Sequence, residues 1–127
     1  MDYLHQDITQ KITKGFYKVY NTLGYGFLER VYQKALMIEL IKMGFICQEE
    51  APVKVFYDGT NVGDYRADLI VDNKVIVENK ASETLCEEHE YQLINYLKAT
   101  EIEVGLLFNF SKKPEFKRKI FTNDRKT

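Results

Sequence analysis

Tyr65-Arg66-Ala67-Asp68-Leu69-Ile70-Val71-Asp72-Asn73-Lys74-Val75-Ile76-Val77-Glu78-Asn79-Lys80 is the stretch that decides the fold. Two β-prone runs, Gly63 to Val71 and Lys74 to Glu78, flank Asp72-Asn73, residue types that tolerate the backbone of a tight turn. The stretch therefore predicts a hairpin. Side chains alternate across a strand, so Glu78 and Lys80 emerge on one face. The position of Asp68 depends on the loop. A three-residue loop, Asp72-Asn73-Lys74, pairs Val71 with Val75 and sets Asp68 opposite Glu78; a two-residue turn sets Asp68 opposite Val77, on the other face from Glu78.

Charged residues inside apolar strands need partners, because burying them alone is costly. Two carboxylates side by side repel unless a cation lies between them or one is protonated. Oxygen ligands of this kind suit Mg²⁺ or Mn²⁺, which pair one or two carboxylates with waters and substrate phosphate. A lysine two residues on can orient or deprotonate a water held by the metal, or offset charge growing on a phosphate. Asp68, Glu78 and Lys80 thus form a candidate site for metal-assisted phosphodiester chemistry. On its own, the same spacing also fits an exposed hairpin with salt bridges.

Working outward, Leu4, Ile8, Ile12, Phe16, Val19 and Leu23 recur at helical steps and predict an amphipathic helix that Gly24-Tyr25-Gly26 ends. A second helix is expected from about Phe27 to Met43, with Gly44 as terminator. Phe45-Ile46-Cys47 and Val53 to Tyr57 are β-prone, with Pro52 between them and Asp58-Gly59 as a turn. Beyond the hairpin, a third helix is expected from Ser82–Thr84 to about Ala99, capped by Ser82 or Thr84 with Glu87 as a capping-box partner. Val104 to Phe110 is continuously apolar, as suits a strand covered on both faces. Glu115 to Phe121, after Pro114, reads as an edge strand or a short helix. The order implies an α/β fold, a mixed central sheet flanked by helices.

A chain of 127 residues is the size of one domain, taken as 1–127, and 45% hydrophobic with 29% charged residues is ordinary globular usage. Apolar runs are too short for a membrane span, and Met1 to Asp7 lacks the basic and apolar segments of a secretory leader. Cys47 and Cys86 lie far apart without metal-ligand spacing, so the expectation is a cytoplasmic protein with reduced thiols. The net charge of −1 offers no global case for nucleic-acid binding. Its distribution is uneven: from Lys112 onward, seven Lys or Arg stand against Glu115 and Asp124. That basic segment reads either as a strip tracking phosphates or as a solvated, frayed tail.

Asp68…Glu78-x-Lys80 resembles the PD-(D/E)xK nuclease signature. Upstream, Gly26-Phe27-Leu28-Glu29-Arg30-Val31-Tyr32 reads G-x-x-E-x-x-Y, the motif that names the GxxExxY proteins of that superfamily. Downstream, Gln92-Leu93-Ile94-Asn95-Tyr96 resembles the Q-x-x-x-Y motif of its RecB-type and lambda-exonuclease branches. Tyr65-Arg66-Ala67-Asp68, His89-Glu90-x-Gln92 and Gly105-Leu106-Leu107-x-Asn109-Phe110 are also similar to the family, and the resemblance spans about Asp7 to Phe121.

The resemblance implies a restriction-endonuclease-like core and a set of roles. Asp68 and Glu78 would be the principal metal ligands and Lys80 the catalytic lysine. Glu29 would be a further ligand or would orient metal-bound water, and the backbone carbonyl of Asn79 would be an extra ligand. Gln92 and Tyr96 would line the site, with His89 on the same helical face, at steps of three and four. Tyr32, one turn after Glu29, reads as a packing residue with a hydrogen-bonding hydroxyl. Ala67 stands where the superfamily's name has proline, and Asn79 where relatives often carry an apolar residue.

The function expected is hydrolysis of phosphodiester bonds in nucleic acid, DNA ahead of RNA, with Mg²⁺ or Mn²⁺. The competing expectation is a catalytically silent module of the same fold that binds nucleic acid or a protein partner in a repair or defence assembly. Both leave room for a homo-oligomer or a protein partner.

Overall fold

The computed structural model describes residues 4–126. Residues 1–3, part of the stretch read for a leader, and residue 127 lie outside the described residues. Helix α1 (Gln6–Leu23) and helix α2 (Glu29–Lys42) lead into strands β1 (Cys47–Tyr57), β2 (Thr60–Val71) and β3 (Val75–Lys80). Helix α3 (Glu87–Lys98), strands β4 (Val104–Asn109) and β5 (Glu115–Ile120), and a short 3₁₀ turn at Asn123–Arg125 complete the described residues. The five strands form one sheet in chain order. Neighbours are antiparallel except β3 and β4, which run parallel and are joined by α3. Parallel neighbours need such a crossover.

The apolar periodicity of α1 is realised: Ile12, Phe16 and Val19 are buried with Leu36 and Leu40 of α2 against Leu69, Val77, Leu106 and Phe108 of the sheet. The other face carries Ile70, Ile76 and Leu107 under Leu93 and Leu97 of α3. β4 is buried along its whole length, as its unbroken apolar run implies.

The decisive hairpin takes the three-residue loop. Val71 pairs with Val75 and Leu69 with Val77, a register that carries Asp68 to Glu78. Asp72 and Asn73 hold positive φ values of 52° and 54°, which their short polar side chains make affordable. Asp58 and Gly59 likewise have positive φ, so Tyr57 pairs directly with Thr60 across a two-residue turn.

Two boundaries differ from expectation. β1 runs without a break through Pro52, which pairs with Arg66; β1 is an edge strand, where a missing N–H is tolerated. α3 begins later than Ser82–Thr84. The Ser82 N–H donates to Asn109 Oδ1 at 3.0 Å, and Asn109 Nδ2 donates back to the Ser82 carbonyl at 2.9 Å, which fixes that segment as a loop. The cap falls to Cys86 and His89, with the Cys86 N–H donated to His89 Nδ1 at 3.3 Å. Glu115 to Phe121 takes the edge-strand alternative as β5, and beyond it Lys126 Nζ donates to the carbonyls of Thr100 and Ile102.

Candidate active site

The site forms where the sheet opens. β1 follows one register with β2 on either side of Glu50, but the Glu50–Asp68 rung is missing and Glu50 has φ 52°. Past Leu69–Val77, β2 and β3 also stop exchanging ladder bonds. Carboxylates take over. The Asp68 N–H donates to Glu78 Oε2 at 2.7 Å, and the Asn79 N–H donates to Asp68 Oδ2 at 2.7 Å. Each acid is thereby fixed by backbone rather than by a flexible partner. In an extended strand the N–H and C=O of one residue point to the same edge, so the Asn79 carbonyl faces this same gap.

Glu78 is only 3% exposed. Burial, and then the charge of Asp68, push its carboxyl up to about 8. Burial likewise raises Asp68; the Asn79 N–H and the Lys80 charge pull it back, while Glu50 and Glu29 push it further. Two desolvated acids held side by side with raised protonation form a site that a hard cation would relieve, and their oxygens, with a backbone carbonyl, match its donor chemistry. The residues present fit such an ion. Among the described residues, no three of Asp, Glu, His and Cys converge closely enough to enclose one.

Lys80 stands on the face of Glu78. Its Nζ donates to Gln92 Oε1 at 3.1 Å, and Gln92 Nε2 donates to the Tyr96 hydroxyl at 3.2 Å. Burial and then the Glu78 charge raise the Tyr96 hydroxyl, so it stays protonated beside the acids. α3 can approach this closely because Gly105 lies beneath it: a Cβ there would meet Leu93 Cδ1 at 2.6 Å.

Glu29 is the first residue of α2, exposed, where the helix dipole favours its charge. Tyr32 sets that start: its hydroxyl donates to the Gly24 carbonyl at 2.7 Å and accepts the Phe27 N–H at 3.2 Å, while its ring stacks on Phe110 at 4.3 Å. His89 caps α3 one turn before Gln92 and makes no hydrogen bond to Lys80 or the acids among the described residues. Glu50 was not expected. Gln33 Nε2 holds its Oε2 at 2.8 Å, and its charge reaches both Asp68 and Glu78. A larger groove of about 910 Å³ between α1 and β5 contains none of these side chains.

Among the described residues, no helix is long and apolar enough to cross a membrane. A solved structure described as the crystal structure of SSO0001 shares the fold, with a TM-score of 0.60 at 21% identity over 76% of this chain and 52% of that one. This chain thus spans about half the length of that neighbour, at 52%. No curated protein matches the sequence. The family model described as the PD-(D/E)XK nuclease superfamily matches residues 6–119, nearly the whole chain, in agreement with the mixed sheet flanked by helices. The chain belongs to the PD-(D/E)XK nuclease superfamily.

Proposed function

We propose that this chain is a divalent-metal-dependent nuclease of the GxxExxY type, hydrolysing phosphodiester bonds in DNA. The observation that carries this reading is the reciprocal backbone bracing of Asp68 and Glu78, with Lys80 on the same face tied to Gln92. Setting buried Glu78 beside half-buried Asp68 in a gap in the sheet costs desolvation.

In this reading Asp68, Glu78 and the Asn79 carbonyl hold Mg²⁺ or Mn²⁺. Glu29 turns in from the start of α2 as a further ligand or to orient water. The cation, when bound, supplies electrophilic charge at the phosphate and makes a water acidic at neutral pH. The Lys80 ammonium has three donors, of which Gln92 takes one; the others face phosphate oxygens and offset their growing charge. Tyr96 fixes the Gln92 amide and so fixes Lys80, and both residues border the bound strand. His89 is assigned to the substrate side of α3. Glu50, held by Gln33, adds negative charge that favours cation entry.

A second reading has one observation in its favour: among the described residues no three of Asp, Glu, His and Cys converge, and a chain that binds nucleic acid or a protein without cutting would need no such cluster. Incubation of wild type and Lys80→Ala with single-stranded DNA, duplex DNA and RNA in Mn²⁺, Mg²⁺ and EDTA separates the two. The nuclease reading expects metal-dependent cutting by wild type and a loss of about a hundredfold or more in Lys80→Ala. It also expects calorimetric Mn²⁺ binding that releases protons at pH 7, because Glu78 must give up its own. No cutting of any substrate together with no Mn²⁺ binding would sink it.

A further inference from the structure

Gln92 and Tyr96 also border an open groove of about 720 Å³ between β1, β2 and α3. Its walls are aromatic and unusually wet. Phe56, Tyr65 and Tyr91 are 62%, 53% and 60% exposed. The Tyr65 ring lies 5.9 Å from that of Tyr96, itself buried, so the exposed aromatics back onto the residue that orients Gln92. The register of β1 with β2 shifts between Val55 and Phe56, and the successive residues Lys54, Val55 and Phe56 all border the groove. A bulge re-aims side chains that strict alternation would send to opposite faces. Lys54 and Lys98 stand at the groove against one acid, Glu88. Large aromatic faces left in water beside cations, and continuous with a candidate site, match what an unpaired base and its phosphate need. A base within a duplex has both faces covered and cannot use them.

We propose that this groove is a stacking site for an unpaired base of single-stranded DNA, which it delivers past Tyr65 and Gln92 to Lys80. The proposal rests on the nuclease reading for its direction, and binding without metal tests it separately. Full-length protein in EDTA is titrated with a single-stranded oligonucleotide carrying 2-aminopurine, with a blunt duplex of equal length, and with the matching RNA. Quenching of 2-aminopurine on binding and tighter binding of the single strand than of the duplex are expected. Phe56→Ala and Tyr91→Ala, both at exposed positions, should each weaken single-strand binding by about tenfold and leave duplex binding unchanged. Lys54→Glu, which removes no packing, should weaken it and flatten its salt dependence.

Unquenched 2-aminopurine, variants that bind like wild type, or tighter binding of RNA would overturn the assignment. So would a dimer that Phe56→Ala dissociates with no change in DNA binding. If wild type and Phe56→Ala bind and cut single-stranded DNA equally, the stacking site falls and the nuclease reading stands. If the variants lose single-strand binding while wild type cuts nothing in any metal, the reverse holds.

Discussion

Asn79 serves the site with its backbone and taxes the fold with its side chain. Its N–H braces Asp68, and its carbonyl faces the gap between β2 and β3. The amide is 1% exposed, and neither Nδ2 nor Oδ1 has a hydrogen-bond partner among the described residues. Alternation from Val75 and Val77 turns it toward the cluster under α1 and α2. A buried amide without partners costs about 1–3 kcal/mol, and valine fills a similar space while favouring strand geometry. Asn79→Val is therefore expected to stabilise the protein by about 1–3 kcal/mol, measured as a higher urea midpoint at unchanged slope, with metal-dependent cutting retained. A lower midpoint would show that the amide is satisfied inside the fold. This misfit was legible from the family resemblance, in which the position of Asn79 is often apolar. Glu50 was not, since only the missing rung opposite Asp68 brings it to the pair. Positive φ at a glutamate has no sequence signature.

Among the elements, α3 ties the site to the sheet. Its placement depends on Gly105, which lies against Leu93, a residue with no exposure. Gly105→Ala forces Leu93, and with it α3, outward. The expected cost is about 1–3 kcal/mol from overpacking. Cutting should fall further than stability alone explains, because Gln92 moves off Lys80. Combining it with Leu93→Ala should restore the Lys80–Gln92 contact and part of the activity, though not the stability. Activity measured well below each variant's melting temperature, with unchanged cutting in Gly105→Ala, would show that α3 does not set the geometry. The elements themselves were legible because each is declared locally: the stripe of α1, the apolar run of β4, the short polar residues at Asp72-Asn73. The start of α3 was not. Ser82 looks like a cap from sequence, but Asn109, twenty-seven positions on, claims it. A cysteine–histidine cap carries none of the usual signals. The register of the hairpin lay between: sequence left two loops open, and the pairing of Val71 with Val75 is the one that joins the acids.

At the scale of the whole molecule, the acid pair makes folding depend on pH and on the cation. An unfolded glutamate loses its proton near 4.5, whereas Glu78 in the fold keeps it up to about 8. Between those values the folded chain binds more protons than the unfolded one, so stability falls as pH rises. The contribution is whole below 4.5 and gone above about 8, and Asp68, raised for the same reason, adds to it in the same direction. Metal-free protein is thus expected to lose roughly a few kcal/mol between pH 5 and 8 from this pair, read as the difference in slope between wild type and Glu78→Gln. A cation bound only by the folded state reverses the trend, because it takes the proton's place and stabilises by mass action, about 2.7 kcal/mol at a hundred times its dissociation constant. Mn²⁺ should therefore raise the melting temperature strongly at pH 8 and little at pH 5, and not at all in Glu78→Gln at either pH. Parallel pH slopes in wild type and variant would mean that Glu78 ionises freely in the fold. Equal Mn²⁺ shifts at both pH values would place the ion away from the pair.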